Sequence, residues 1–273
     1  MSVDRSSAGR LAAPALGDRS ELGVGTGCAA VAGPVVGRLG GARWLARRFV
    51  DLHEGDRRML QGTDASLLAV CGLAKAYDGR VIVDGLDLQV EAGSAVALMG
   101  PNGCGKSTVL RCLSGHEQGT HTSFETAGRP ARVHSSAYRR DVFPIFDDFS
   151  FFPDITVAEH LELLAGMYDV REHEATAAAA LQRFGISGVA EQFPTELSSG
   201  QIRRVAFAAA AIRPWKLLLL DEPEQRLDAD GRSRLVQFLQ EQTAAGRGLV
   251  FATHDAALAQ LLGARVVTLA HRG

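Results

Sequence analysis

The sequence predicts an α/β fold with a phosphate-binding loop at its centre, a mixed sheet, an antiparallel β portion and an inserted helical portion. Three observations predict it. A glycine-rich segment, Gly100, Pro101, Asn102, Gly103, Cys104, Gly105, Lys106, Ser107 and Thr108, lies between an apolar run and a helical one. Two further apolar runs, Leu217–Leu220 and Leu249–Thr253, read as strands buried on both faces, and they end on Asp221-Glu222 and His254. Between the first segment and these runs lie sequences with helix-start signals and alanine-rich helical composition.

The glycine-rich segment has the spacing of a loop that cradles nucleotide phosphates: glycine, four free positions, then Gly-Lys-Ser. Gly100, Gly103 and Gly105 let successive backbone N–H groups turn inward. Lys106 brings a positive charge to the β- and γ-phosphates, and the Ser107 hydroxyl is placed to ligate Mg²⁺. Ala95–Met99 reads as a buried strand before the loop, and Lys106–Leu113 as a helix after it, stopped at Ser114-Gly115. Strand, loop and helix start together imply a bound nucleoside triphosphate.

Bulk properties bound the rest. A chain of 273 residues with 46% hydrophobic composition can bury a sizeable core, and a net charge of −2 leaves no electrostatic footprint for nucleic acid. Cys28, Cys71, Cys104 and Cys112 show no metal-binding spacing and read as free thiols. No run of apolar residues is long enough to cross a bilayer.

Residues 1–65 are rich in Gly, Ala, Ser and Arg and read as disordered low-complexity sequence. Within them, residues 38–52 interleave Arg38, Arg43, Arg47 and Arg48 with Leu39, Trp44, Leu45, Phe49 and Val50. That pattern suits a basic amphipathic helix; the competing readings are a solvated tail or a natural start at Met59.

From Leu67 the pattern alternates. Leu67–Cys71, then Val81, Val83, Leu86, Leu88 and Val90 with polar residues between, predict antiparallel strands with one wet face. Tyr77 lies between them, either to stack on a base, worth about 1–3 kcal/mol, or to close the rim of the core. Residues 116–141 read as hairpin and loop, and Phe143–Pro153 as an aromatic-rich stretch. Thr156 and Glu159 form a capping box that opens a helix reaching about Tyr168, and 172–184 form a second helix ended by Gly185. Ser198, Ser199, Gly200 and Gln201 precede an apolar helical run over Ile202–Ile212 and make either an ordinary N-cap or a second anion site.

Asp221, at the end of the leucine strand, is placed to hold Mg²⁺, and Glu222 to polarise an attacking water, which typically contributes about 10²–10⁴ in rate. Gly231–Gln242 reads as an amphipathic helix, Asp255–Leu262 as another, and Val266–Leu269 as a last strand.

Taken together, from Leu67 onward, these motifs resemble the ATP-binding subunit of ABC transporters. The resemblance implies a P-loop NTPase core over 67–273, with a helical subdomain at about 148–212, that hydrolyses ATP with Mg²⁺. It implies adenine stacking by Tyr77, ATP contacts by residues 100–108, a catalytic set of Lys106, Glu222 and His254, and contact with the γ-phosphate by His254. It further implies head-to-tail pairing with a second cassette, whose Ser198, Ser199, Gly200 and Gln201 cover the nucleotide, and communication between subunits through Asp228. The partners would be separate transmembrane subunits, placing the chain peripherally on the cytoplasmic face of the membrane. The segment opening at Asp154 resembles exporter-associated members most. A soluble cassette acting on nucleic acid or ribosomes, and an ATP sensor without turnover, are the competing readings. The sequence departs from the family at three places. Asp147 stands where glutamine is usual, with an oxygen still offered to Mg²⁺. Ser199 stands where glycine is usual, and Cys104 occupies the loop, where alkylation would be expected to block ATP.

Overall fold

The computed structural model describes residues 66–270 apart from Ser150 and Asp169. The basic segment 38–52, Met59 and Cys28 lie outside the described residues.

The alternating segment forms two long strands, β1 (Ser66–Tyr77) and β2 (Arg80–Glu91), paired antiparallel. A short hairpin, β4 (Ser123–Thr126) and β5 (Arg129–Pro130), completes a four-stranded sheet in the order β2-β1-β4-β5. The second sheet is wholly parallel, in the order β6-β7-β8-β3-β9. Its strands are β3 (Ala95–Met99), β6 (Val142–Ile145), β7 (Leu217–Asp221), β8 (Gly248–Ala252) and β9 (Arg265–Thr268). The antiparallel and parallel pairings expected of a mixed sheet are thus divided between two sheets.

The continuous apolar runs are buried on both faces because successive side chains point to opposite sides. Leu218 and Leu220 of β7 enter one core with Phe207, Phe238 and Phe251, whereas Leu217 and Leu219 enter the other with Leu68, Leu88 and Leu110. All four leucines are at most 2% exposed. Burial of that kind stabilises by about 1.5–3 kcal/mol per leucine, so the end of β7 is a rigid mount for whatever follows it.

Seven helices are described: α1 (Lys106–Ser114), α2 (Ser136–Asp141), α3 (Val157–Met167), α4 (His173–Arg183), α5 (Ser199–Ile212), α6 (Ala229–Ala244) and α7 (Ala256–Leu261). The helices α3 to α5 form the insertion between β6 and β7. The Thr156 capping box is present, with the Glu159 amide donating to Thr156 Oγ1 at 3.2 Å and the Thr156 amide to Glu159 Oε2 at 2.8 Å. Gly115 ends α1 in the left-handed region.

Three elements differ from the sequence expectation. Helix α2 lies inside the stretch read as hairpin and loop; at six residues it is too short to show a period, and it is carried by the Ser135 N-cap and by buried Tyr138. Strand β6 lies at the start of the aromatic stretch. Pro144 argues against a strand by pattern, but β6 is at the sheet edge, where a missing N–H is tolerated. Helix α5 also begins earlier than Ile202, because Ser198 caps it.

Candidate functional site

The C-terminal ends of β3, β7 and β8 meet at one point, and each expected catalytic group sits just past one of them. The phosphate loop leaves β3 and closes into α1, with the Val109 amide donating to Gly105 O at 2.9 Å. A Cβ on Gly100 would lie 2.3 Å from Leu269 O, so only glycine fits there. Gly105 has φ +99 and sits against Ile82 and Val83 of β2, which is how the antiparallel sheet braces the loop. Cys104 is 3% exposed and turned inward. The thiol expected to react with an alkylating agent is therefore shielded by packing in the folded chain.

Lys106 is 6% exposed. Its Nζ donates to Gly100 O (3.0 Å) and Pro101 O (3.3 Å) and lies 2.9 Å from His254 Nε2. That same Nε2 is 3.2 Å from Glu222 Oε1. One ring nitrogen cannot accept from an ammonium and donate to a carboxylate at once. The proton on Nε2 therefore decides which of Lys106 and Glu222 the imidazole binds. The catalytic trio named from sequence, Lys106, Glu222 and His254, is brought together.

Asp221 lies at the end of β7, where burial raises its pKa, opposed by a hydrogen bond from Ser107 and reinforced by the charges of Glu222 and Asp147. Its Oδ1 is buried without a hydrogen-bond partner. An unpartnered carboxylate oxygen beside a serine hydroxyl is a hard-oxygen donor set that suits Mg²⁺. Asp147 is placed differently. Its Oδ1 faces Arg203 at 3.4 Å and its Oδ2 faces Arg226 at 3.3 Å, so both oxygens are engaged by guanidinium groups.

Glu222 has φ 44, a left-handed backbone that is uncommon for a residue with a side chain. Its amide donates to Ala252 O at 3.0 Å, tying it to β8. Strain of this kind, about 1–3 kcal/mol, persists only where the surroundings over-determine it.

Tyr77 ends β1 with 41% exposure. Its hydroxyl bonds to Glu117 and Lys75 Nζ lies 4.7 Å from its ring centre, so the ring is held rather than free. The hydroxyl also meets Thr108 of the phosphate loop. A rim aromatic tied to the loop can offer a face to a base.

The segment read as either an N-cap or a second anion site forms a helix start. Ser198 is the N-cap of α5, accepting from the Gln201 amide at 3.3 Å, while the Ser198 amide donates to Gln201 Oε1 at 2.8 Å. The serine hydroxyl accepts in the cap and keeps its O–H to donate outward. Ser198, Ser199, Gly200 and Gln201 line a pocket of about 440 Å³ together with Arg226 and Asp228. A Cβ on Gly200 would lie 2.6 Å from Arg226 O. Asp228 caps α6 through the Gly231 amide at 2.8 Å and pairs with Arg204; that amide, followed by the guanidinium, lowers its pKa.

Sequence reading missed the arginines. Arg203, Arg204 and Arg226 surround these groups, and the only signal for them was two cations at the head of an otherwise apolar helix. Their partners are separated from them by 18 to 79 residues, which no local pattern reveals.

The chain matches the family model described as "ABC transporter" over residues 83–225. It is 33% identical over 211 residues to the spermidine/putrescine import ATP-binding protein PotA of Spiroplasma citri, covering 76% of this chain and 59% of that protein. It is 32% identical over 209 residues to the Fe(3+) ions import ATP-binding protein FbpC of Pasteurella multocida, covering 76% and 59%. The chain thus spans about three fifths of the length of these curated relatives. Among solved structures, it is similar to the ATP-binding cassette MJ0796 in a dimeric, post-hydrolysis state bound to ADP and Pi. The TM-score is 0.66 at 27% identity, covering 74% of this chain and 94% of that one. It is also similar to cbiO1 from Clostridium perfringens, described as part of the ABC transporter complex cbiONQ. There the TM-score is 0.63 at 26% identity, covering 75% and 85%.

Proposed function

The chain belongs to the ABC transporter family of ATP-binding proteins, and on that premise we propose that it hydrolyses ATP between two cassettes to drive import through separate membrane subunits. The observation that carries this reading is the convergence of Lys106, Asp221, Glu222 and His254 on one point beside the phosphate loop. The loop amides and Lys106 bind the β- and γ-phosphates, which offer the ammonium stronger partners than the carbonyls it now holds. Ser107 and Asp221 hold Mg²⁺, which when bound neutralises charge on the phosphate oxygens. Tyr77 stacks on the adenine.

Glu222 accepts the proton of a water that attacks the γ-phosphorus. The bond from that phosphorus to the bridging oxygen breaks, leaving ADP and phosphate. His254, released from Lys106 by the phosphates, donates to the γ-phosphate from Nε2.

Ser198, Ser199, Gly200 and Gln201 lie at a separate helix start, so one chain holds two half-sites, and a second copy placed head to tail completes both. The dimeric post-hydrolysis relative supports that pairing. Asp228 lines the pocket at the Ser198 helix start together with Arg226, and in this reading it carries communication between the two cassettes.

No helix among the described residues is long and apolar enough to cross a membrane. In this reading the transported solute passes through separate membrane subunits, on which the chain sits peripherally at the cytoplasmic face. The membership of cbiO1 in a multi-subunit complex supports such partners. The exporter-like expectation gives way to import, because both relatives are import ATP-binding proteins by name.

The deciding experiment compares ATP turnover and oligomeric state in the wild type and Glu222→Gln. Wild-type turnover, lost by about 10²–10⁴ in the variant, with a dimer accumulating at saturating ATP and Mg²⁺, is the expected result. A wild type as slow as the variant would favour an ATP sensor. A variant that stays monomeric with no other cassette chain to join it would end the two-cassette reading. Uptake of labelled solute by vesicles containing the membrane subunits and this chain tests the direction.

A further inference from the structure

We propose that Arg203 is a positioning residue for the Glu222 carboxylate, with Asp147 serving as the counter-ion of Arg203 rather than as a metal ligand. The inference rests on the ATPase reading above and goes beyond it. Arg203 lies early in α5, just past Ser198 and Gly200, and is 5% exposed. Its guanidinium crosses to the end of β7. There it donates to the backbone carbonyl of Asp221 and, at 2.9 Å, to that of Glu222, while its other amino group faces Asp147 Oδ1 at 3.4 Å.

Glu222 is where the chain turns left-handed. Its amide is held by Ala252 O, and its carbonyl accepts from Arg203 and, at 3.1 Å, from the Gln225 amide. With both peptide groups pinned, the side chain leaves Cα in one direction, toward His254. Without the guanidinium the strained turn is free to relax, and the carboxylate moves with it.

The chemistry requires arginine. Two carbonyls and a carboxylate are spanned by a planar fork with several donors, which a lysine ammonium cannot reproduce. A buried cation also needs an opposite charge. Asp147, half-exposed, supplies it with Oδ1 and binds Arg226 with Oδ2. Because Arg203 is on the helix that carries the second anion site, a nucleotide that settles on Ser198–Gly200 pulls on the same helix that aims Glu222. The two half-sites of one chain are thereby joined through one side chain.

The test uses Arg203→Lys and the double variant Arg203→Gln/Asp147→Asn, with melting temperature, affinity for a fluorescent ATP analogue, kcat and KM measured for each. Arg203→Lys keeps the charge and the fold. It is expected to bind the analogue as the wild type does and to lose about 10²-fold in kcat with little change in KM. Added to Glu222→Gln, it lowers the residual rate no further, because it acts through Glu222. The double variant removes both charges of the pair, so it keeps close to the wild-type melting temperature but loses kcat. Wild-type kcat in Arg203→Lys, a further loss on top of Glu222→Gln, or recovery of kcat together with stability in the double variant would each overturn the proposal. If Glu222→Gln itself turns over like the wild type, it is the ATPase reading that has failed, and the Arg203 variants then have no positioned base to report on.

Discussion

Gly200→Ala is the sharpest test of the proposed second half-site. Two effects oppose each other. Alanine is the better helix former by about 0.5–1 kcal/mol, and Gly200 lies in the first turn of α5. Against that, the new Cβ would sit 2.6 Å from the carbonyl oxygen of Arg226, closer than side-chain carbons approach backbone oxygen. The obstacle is backbone and cannot rotate away. It belongs to a residue itself held at φ 62 between Asp147 and the cap of α6. Overpacking of this kind costs about 1–3 kcal/mol, so strain exceeds propensity. The melting temperature should fall by a few degrees, at about 2–4 °C per kcal/mol for a domain of this size. The phosphate loop is untouched, so affinity for ATP should stay at the wild-type value. Turnover should fall by about 10²-fold, the usual consequence of misplacing a binding group by a fraction of an ångström to 1 Å. The Glu222→Gln dimer should fail to form when Gly200→Ala is added. Gly188→Ala, where a Cβ meets nothing within 4 Å, is the matched control. Gly200→Ala with wild-type melting, turnover and dimerisation would refute the reasoning.

Three further outcomes are expected. Tyr77→Ala should raise KM for ATP by about 5- to 150-fold, the equivalent of 1–3 kcal/mol of stacking, with kcat nearly unchanged in steady-state kinetics. His160 packs against Phe151 and Phe152, its Nδ1 is buried without a partner, and burial lowers its pKa below the ordinary 6.5. Its contribution to stability is therefore present above pH 6.5 and is lost as pH falls through the lower folded-state value. His160→Phe should flatten the fall in melting temperature below pH 6.5. Thr156→Ala removes the hydroxyl that accepts from the Glu159 amide in the α3 capping box, leaving the backbone bond to Glu159 Oε2 in place, and should cost about 1 kcal/mol, read as a lower urea midpoint at unchanged slope.

The phosphate loop, the leucine strand ending on Asp221 and Glu222, the Thr156 box and the Ser198 cap were legible in the sequence because each is settled within a few residues. Backbone dihedrals, strand alternation and helix caps are local physics, and an element can be read from its own residues. Strand β6 and helix α2 were not legible. Pro144 is acceptable only because β6 is an edge strand, and the single turn and a half of α2 depends, beyond its Ser135 cap, on the burial of Tyr138. Local sequence contains neither fact.

By itself, then, the sequence determined which groups this protein carries: a glycine loop with the spacing of a phosphate cradle, an acid pair and a histidine on strand ends, and a second helix start capped by serine. Only the tertiary structure decided how these groups are aimed. It buried Arg203 against the backbone of Asp221 and Glu222, turned both oxygens of Asp147 to arginines, and folded the Cys104 thiol inward. The physical reason is that a charge is directed by whatever lies opposite it in space. Asp147 and Arg203 are brought together by a sheet and a helix that must first be packed.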